Sequence, residues 1–287
     1  LHVRSRRQRQ MCIRDRQKEN IADAKIDAWY LLQMACKIDR NFYYLHEEDE
    51  LTAEQQSEYE STVHKRAEHV PLQYIIGEQE FMGLKFKVNS NVLIPRQDTE
   101  TLVEEALRVV EPGMRVLDLC TGSGCIIISL AKNVADISCT GSDISKQALL
   151  VAKENAKANE VEVEWERSDL FENISGTFDL IVSNPPYIPT GEIPGLMPEV
   201  RDFEPVDALD GKEDGLYFYR IITEKSPEYL TSDGYLYFEI GYDQGEAVSA
   251  MMRQCGYTQV EVLKDLAGND RVVKGRNNLS NMLFFPS

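Results

Sequence analysis

Asn184-Pro185-Pro186-Tyr187 stands directly after the apolar run 178–183. Proline cannot continue a central ladder, so a strand over that run must stop there. The tetrapeptide then offers the Asn184 side-chain carbonyl, the Pro185 backbone carbonyl and the aromatic face of Tyr187. Two neighbouring acceptors match the two hydrogens of a planar –NH2 group. A second candidate is Cys120-Thr121-Gly122-Ser123-Gly124, between the run 115–119 and a helical stretch. Glycines at the C-terminal edge of a strand let the backbone approach a ligand closely. A dinucleotide fingerprint needs glycine where Ile127 stands, and a phosphate loop needs lysine where Cys125 stands. Asp118, just before the turn, would repel a pyrophosphate and suits a neutral or cationic ligand. Asp143, at the end of the next run, either accepts hydrogen bonds from ribose hydroxyls or caps the helix beginning near Ser145. Asp169 and Leu170 follow a third run, pairing an acceptor for an adenine amino group with an apolar cover for its ring. The six cysteines form no C-x-x-C pair and the four histidines no ligand spacing, so no metal is implied.

Each of these groups follows a candidate strand. Strands are expected at 115–119, 137–142, 161–167, 178–183, 234–240, 257–264 and 281–285. Helices are expected at about 98–110, 125–134, 145–158, 214–230 and 243–255. Such alternation predicts an α/β fold with a seven-stranded, mostly parallel sheet covered on both faces. The connection 265–280, rich in Gly and Asn, is too irregular for a crossover helix, so the strand at 281–285 is expected to run antiparallel.

Upstream, residues 74–96 change period. Phe81, Leu84, Phe86 and Val88, broken by Gly83 and the polar residues 89–91, predict a β-hairpin linker. Residues 20–73 read as a small helical domain. Ala24, Ala28, Leu31, Leu32 and Ala35 form one apolar stripe. Thr52 and Gln55 have capping-box spacing, and Tyr59, Val63, Ala67 and Val70 form the stripe of the helix that follows. Residues 1–19, rich in Arg and Gln and without periodicity, are expected to be an unstructured or foreign tail. The main domain then spans 97–287.

Of the 287 residues, 31 are basic and 48 acidic, a net charge of −17. Seven of the bases lie in the first 19 residues, so the remainder is more acidic still. Non-specific binding to nucleic acid rests on Lys and Arg neutralising phosphates, so this balance argues against it and favours a basic partner. No apolar run approaches the length of a membrane span, and the basic N-terminus has no apolar core behind it. A cytoplasmic location is expected.

Taken together, the glycine turn with Asp118, Asp143, Asp169 and the Asn184–Tyr187 tetrapeptide resembles an S-adenosylmethionine-dependent methyltransferase acting on planar nitrogens. More narrowly, from about Ile21 to the C-terminus the chain resembles the bacterial release factor glutamine methyltransferase family. Further segments carry that likeness: residues 94–100, Glu204-Pro205, Asp214-Gly215-Leu216, residues 238–241 and Asn269-Asp270-Arg271. The resemblance implies a Rossmann-like class I methyltransferase domain. It implies S-adenosylmethionine bound by Cys120, Thr121, Gly122, Ser123, Gly124, Asp143, Asp169, Leu170 and Asn184. It implies catalysis by Asn184, Pro185 and Tyr187, with Pro186 joining them in holding the substrate. The reaction would methylate the glutamine amide nitrogen of the Gly-Gly-Gln loop in class 1 peptide-chain release factors, without direct nucleic-acid contact, by a monomer. A sister family methylates ribosomal-protein glutamine and is the alternative; nucleic-acid amino groups are a more distant one. Asp98-Thr99-Glu100 favours the release-factor enzyme. The chain departs from the pattern at Gln97, where the family has proline. It departs again at Cys120, where many relatives have glycine, which predicts a negative φ and a buried thiol at this position.

Overall fold

The computed structural model describes residues 24–46 and 49–278, and the chain divides into two compact units. The smaller comprises the described residues up to Glu78 together with Met197–Phe203. Its helices are α1 (Ala24–Cys36), α2 (Arg40–His46), α3 (Ala53–Ala67), α4 (Leu72–Ile76) and, from the distant segment, α8 (Pro198–Arg201). The stripe expected on α1 is buried at Ala24, Ala28, Leu31 and Leu32. At the start of α3 both bonds of the capping box form: the Gln55 amide donates to Thr52 Oγ1 and the Thr52 amide to Gln55 Oε1. The buried stripe of α3 differs from expectation. It runs through Tyr59, Thr62 and Arg66, while Val63, Ala67 and Val70 are half-buried. Arg66 can go inside because its Nε donates to the buried Asp27 (2.7 Å) and its Nη2 to Glu199 (3.0 Å).

The larger unit opens with the hairpin β1 (Glu78–Phe81) and β2 (Leu84–Lys87), whose Phe81 and Phe86 enter the same core as the main sheet. Then follow α5 (Gln97–Leu107), β3 (Arg115–Leu119), α6 (Cys125–Asn133), β4 (Ser138–Asp143), α7 (Lys146–Ala158), β5 (Glu164–Arg167) and β6 (Phe178–Ser183). Beyond α8 come α9 (Tyr217–Lys225), β7 (Leu230–Glu239), α10 (Gly245–Gln254), β8 (Thr258–Lys264) and β9 (Asp270–Arg276). The seven main strands lie in the order β5-β4-β3-β6-β7-β9-β8. All neighbours pair in parallel except β9, which is antiparallel to both β7 and β8. Apolar clusters cover both faces: Leu180, Val182 and Tyr237 on one, Leu117, Ile181 and Phe238 on the other.

The final strand requires a correction. An antiparallel strand exists, but it is Asp270–Arg276, inside the stretch expected to be an irregular connection; 281–285 lies outside the described residues, as does the tail 1–19. β9 fits between two neighbours because Val272 and Val273 each fill one face and Gly275 lets Met252 and Tyr257 pack onto the backbone. Among the described residues, no helix is long and apolar enough to cross a membrane.

Candidate active site

The parallel strands end on one edge of the sheet, where a cavity of about 570 Å³ opens within the larger unit. Cys120, Thr121, Gly122 and Ser123 form part of its wall, as do Asp143, Asp169, Leu170, Asn184 and Pro186. Gly124, Pro185 and Tyr187 are not on the wall. The expected groups thus converge from the tips of β3, β4, β5 and β6.

The glycine turn is held from several sides. The Thr121 amide donates to Ser142 O, and the Thr121 hydroxyl to Asp118 Oδ2 at 2.6 Å. Asn155, fully buried on α7, donates to Ser123 O and also bonds both backbone groups of Lys87 on the hairpin. A Cβ on Gly124 would strike Ile128 at 2.8 Å, so this glycine is needed for packing. At Gly122 (φ +54) a Cβ would meet no protein atom within 4 Å, so bare backbone faces the cavity. Bare backbone of this kind leaves room for another molecule to approach closely.

Cys120 contradicts the expectation of a negative φ: it sits at φ +60, the left-handed region that glycine tolerates best. The chain must reverse there to bring Thr121 back to β4, and the cysteine is carried along at a cost of order 1 kcal/mol. It is half-buried and on the cavity wall, where burial and the nearby Asp143 and Asp118 push its thiol pKa upward.

Asp143 sits at the tip of β4 and accepts two backbone amides, Gly122 at Oδ2 (2.9 Å) and Ser145 at Oδ1 (2.8 Å). Ser145 itself caps α7, through the Ala148 amide. Asp143 therefore ties the glycine turn to the helix start while remaining on the cavity wall. Burial raises its pKa, opposed by these amides. Asp118 is fully buried and raised to about 7 by burial, opposed by the Thr121 hydroxyl. Its Oδ1 has no partner of full hydrogen-bond geometry among the described residues. Asp118 lies behind the turn and off the cavity wall, close to the Ile127 amide. Asp169 is exposed, and Leu170 (φ +48) is turned so that its side chain is buried at the cavity wall.

β6 ends at Ser183, whose hydroxyl donates to Leu119 O at 2.8 Å. Asn184 is half-buried on the wall. Among the described residues, neither its carboxamide nor the Pro185 carbonyl is engaged in a hydrogen bond. The loop behind them is clamped. The Ile188 amide donates to Leu209 O, the Gly211 amide to Ile188 O, and Gln244 Nε2 to Tyr187 O (3.0 Å). Gly215 (φ +72) must lack a side chain, since a Cβ would overlap the Tyr187 carbonyl oxygen. Tyr187, half-buried, packs against the core beside the cavity wall, and burial pushes its hydroxyl pKa up.

Reading the sequence by strand tips missed the groups that enter from outside the sheet. Arg96 and Thr99, at the start of α5, both line the cavity. Arg96 pairs with buried Glu204, and Thr99 lies beside buried Glu239, which burial raises to about 7. Arg271 bridges Asp265 and the Ile240 carbonyl. The signal was present as the segments 94–100, Glu204-Pro205, 238–241 and Asn269-Asp270-Arg271, but spacing alone assigns none of them a role.

Two family models match: the PrmC N-terminal domain over residues 12–77, beginning inside the expected tail, and the methyltransferase small domain over 97–193. The chain is 43% identical over 260 residues to a release factor glutamine methyltransferase of Geobacter sulfurreducens, covering 90% of this chain and 92% of that one. It is 43% identical to the protein of the same name in Thermodesulfovibrio yellowstonii, over 83% and 87% of the two chains. A solved methyltransferase of Pyrococcus furiosus shares the fold, with a TM-score of 0.53 and 17% identity, covering 69% of this chain and 90% of that one. On 43% identity sustained along nine-tenths of its length, the chain belongs to the release factor glutamine methyltransferase family.

Proposed function

We propose that this chain transfers a methyl group from S-adenosylmethionine to the side-chain amide nitrogen of the glutamine in the Gly-Gly-Gln loop of class 1 release factors. The observation that carries this is the unengaged Asn184 carboxamide on the cavity wall, followed in the chain by the unengaged Pro185 carbonyl, with the bare backbone of the glycine turn on the same wall. Bound S-adenosylmethionine supplies an electrophilic methyl on a sulfonium. Bare backbone at Gly122, with Cys120, Thr121 and Ser123, would hold its methionyl part. Asp143 would accept from the ribose, and Asp169 with Leu170 would hold the adenine. Gly124 would serve by packing, behind the wall.

An amide nitrogen is a poor nucleophile because its lone pair is delocalised into the carbonyl. Asn184 and the Pro185 carbonyl, each accepting one amide hydrogen, would turn that lone pair toward the methyl carbon and stabilise the positive charge that develops on nitrogen. Holding the two atoms in line at about 3–3.5 Å supplies much of the remaining rate. Tyr187 supports this geometry through the clamp on its carbonyl, while Pro186 shapes the wall. No general base is needed, because the proton on the methylated amide is acidic enough to leave to water.

The helical unit, with no convergent polar cluster on the cavity, is assigned to recognising the release factor. The acidic surface suits a basic protein partner, and no direct nucleic-acid contact is proposed. The enzyme is read as a cytoplasmic monomer. Incubating a purified release factor with this protein and S-adenosylmethionine tests the reading. Mass spectrometry should find one methyl group on the Gly-Gly-Gln peptide; an unmodified peptide would refute it.

A further inference from the structure

We propose that Gln244 is a positioning residue for the methyl transfer, fixing the direction of the Pro185 carbonyl from outside the cavity. This rests on the reaction proposed above. Gln244 does not line the cavity, so it can act only through the backbone it holds.

Its carboxamide is buried and engaged on both sides. Nε2 donates to Tyr187 O (3.0 Å) and to Gly215 O (3.3 Å), and Oε1 accepts the Gly241 amide (2.9 Å). A carboxamide carries two donor hydrogens and a carbonyl acceptor. Two carbonyls on one side require the nitrogen there, and an amide on the other requires the oxygen, so one orientation fits. The surroundings close on it. A Cβ on Gly215 would stand 2.8 Å from Nε2, and one on Gly241 3.0 Å from Oε1. One on Gly211 would stand 2.8 Å from the Tyr187 carbonyl carbon. Three glycines thus let their backbones close around this side chain and the carbonyl it holds.

The base of the side chain is rigid. The Gln244 amide donates to Gly241 O (3.0 Å), closing the turn after β7, and its carbonyl accepts the Val248 amide (3.0 Å) in α10. Val248 and Met252 of α10 are fully buried, so the core sets where Gln244 stands. The Ile188 amide donates to Leu209 O (3.0 Å), so both polar groups of the peptide joining Tyr187 to Ile188 are held. At the other end Ser183 lies opposite Phe238 of β7, and its hydroxyl donates to Leu119 O. Between these anchors, Pro185 and Pro186 have their φ locked by their rings. Few torsions remain, and the held peptide decides among the directions open to the Pro185 carbonyl. Releasing it would misdirect that acceptor while leaving every group on the cavity wall in place. A misplacement of about 1 Å can cost about 10²-fold in rate.

Steady-state transfer to a whole release factor, with calorimetry of S-adenosylmethionine binding, tests this in two variants. Gln244→Glu keeps the shape but presents an oxygen to the Tyr187 and Gly215 carbonyls and removes both donors. Gln244→Met keeps the length, removes every polar contact, and decides if Gln244→Glu fails to fold. In each, kcat should fall about 10- to 100-fold. The KM for the release factor and the Kd for S-adenosylmethionine should stay within about threefold of wild type. That split separates positioning from a general loss of structure, which would weaken the cofactor as well. A folded variant with kcat within about threefold of wild type would overturn the assignment. So would one whose cofactor Kd rises in step with the fall in kcat. Absence of transfer by the wild-type chain would instead refute the reaction itself.

Discussion

Replacing Asp143 by alanine removes three things at once, and the structure allows each to be weighed. Two are backbone amides, Gly122 at 2.9 Å and Ser145 at 2.8 Å. Both face an open cavity where water can replace the carboxylate, so each is worth about 0.5–1.5 kcal/mol. The third is the proposed ribose contact, a charge-assisted bond worth about 1.5–3 kcal/mol. Binding to the variant must also reorder the glycine turn, so the total loss should be about 2–4 kcal/mol, roughly a 30- to 1,000-fold rise in Kd. Stability should fall by less than the two amide bonds together, because a carboxylate that burial already strains is removed with them. Asp143→Asn does not rescue: whichever way its amide points, an –NH2 faces one of the two amide donors. Calorimetry of S-adenosylmethionine binding, run alongside urea unfolding, measures both effects. An alanine variant that binds within threefold of wild type, with an unchanged exchange rate at the Gly122 amide, would refute the tie between β4 and the turn.

Gly215→Ala should displace the Tyr187 carbonyl and strain a residue at φ +72, lowering the thermal midpoint by several degrees and kcat at least tenfold; wild-type values for both would contradict the clamp. Arg66→Ala leaves the buried Asp27 without its partner and should destabilise the helical unit by about 3–5 kcal/mol, seen as an earlier urea transition; a shift below about 1 kcal/mol would contradict a buried pair. Asp118 and Glu239 have ordinary values of 3.8 and 4.5 and are both raised to about 7. The folded state therefore keeps protons that the unfolded chain has lost, so the stability of the ligand-free protein should fall as pH rises from about 4 to about 7. Urea midpoints across that window should drop for wild type and flatten in Asp118→Asn with Glu239→Gln; a rise through the window would reverse the sign.

The strand tips were legible because turn chemistry is local. Glycines, an acid and a proline pair each punctuate an apolar run, and the parallel fold brings those punctuation points to one edge. β9 was hidden because its seven residues carry only two valines among charged neighbours and a glycine, a pattern that reads as loop until strands on both sides supply the hydrogen bonds. The inward turn of Arg66 was hidden for a related reason: its partner Asp27 is 39 residues away, and helical periodicity counts an arginine as outside. The φ of Cys120 is set by the return of Thr121 to Ser142, a tertiary bond that outweighs the local preference of cysteine. Tyr187 was expected at the substrate from its chemistry; its half-buried ring packs against the core beside the cavity, a placement set by the clamp on its carbonyl and not by any local pattern. Arg96 and Thr99 come from the helix that precedes the sheet, and no strand-tip rule reaches them.

The central claim is that Asn184 orients a substrate amide for methylation, and single-turnover transfer by Asn184→Ala tests it most directly. With a whole release factor as acceptor, removing one acceptor aimed at developing charge should slow transfer about 10²–10³-fold while S-adenosylmethionine affinity changes far less. A folded Asn184→Ala protein that methylates the Gly-Gly-Gln glutamine at close to the wild-type rate would contradict it.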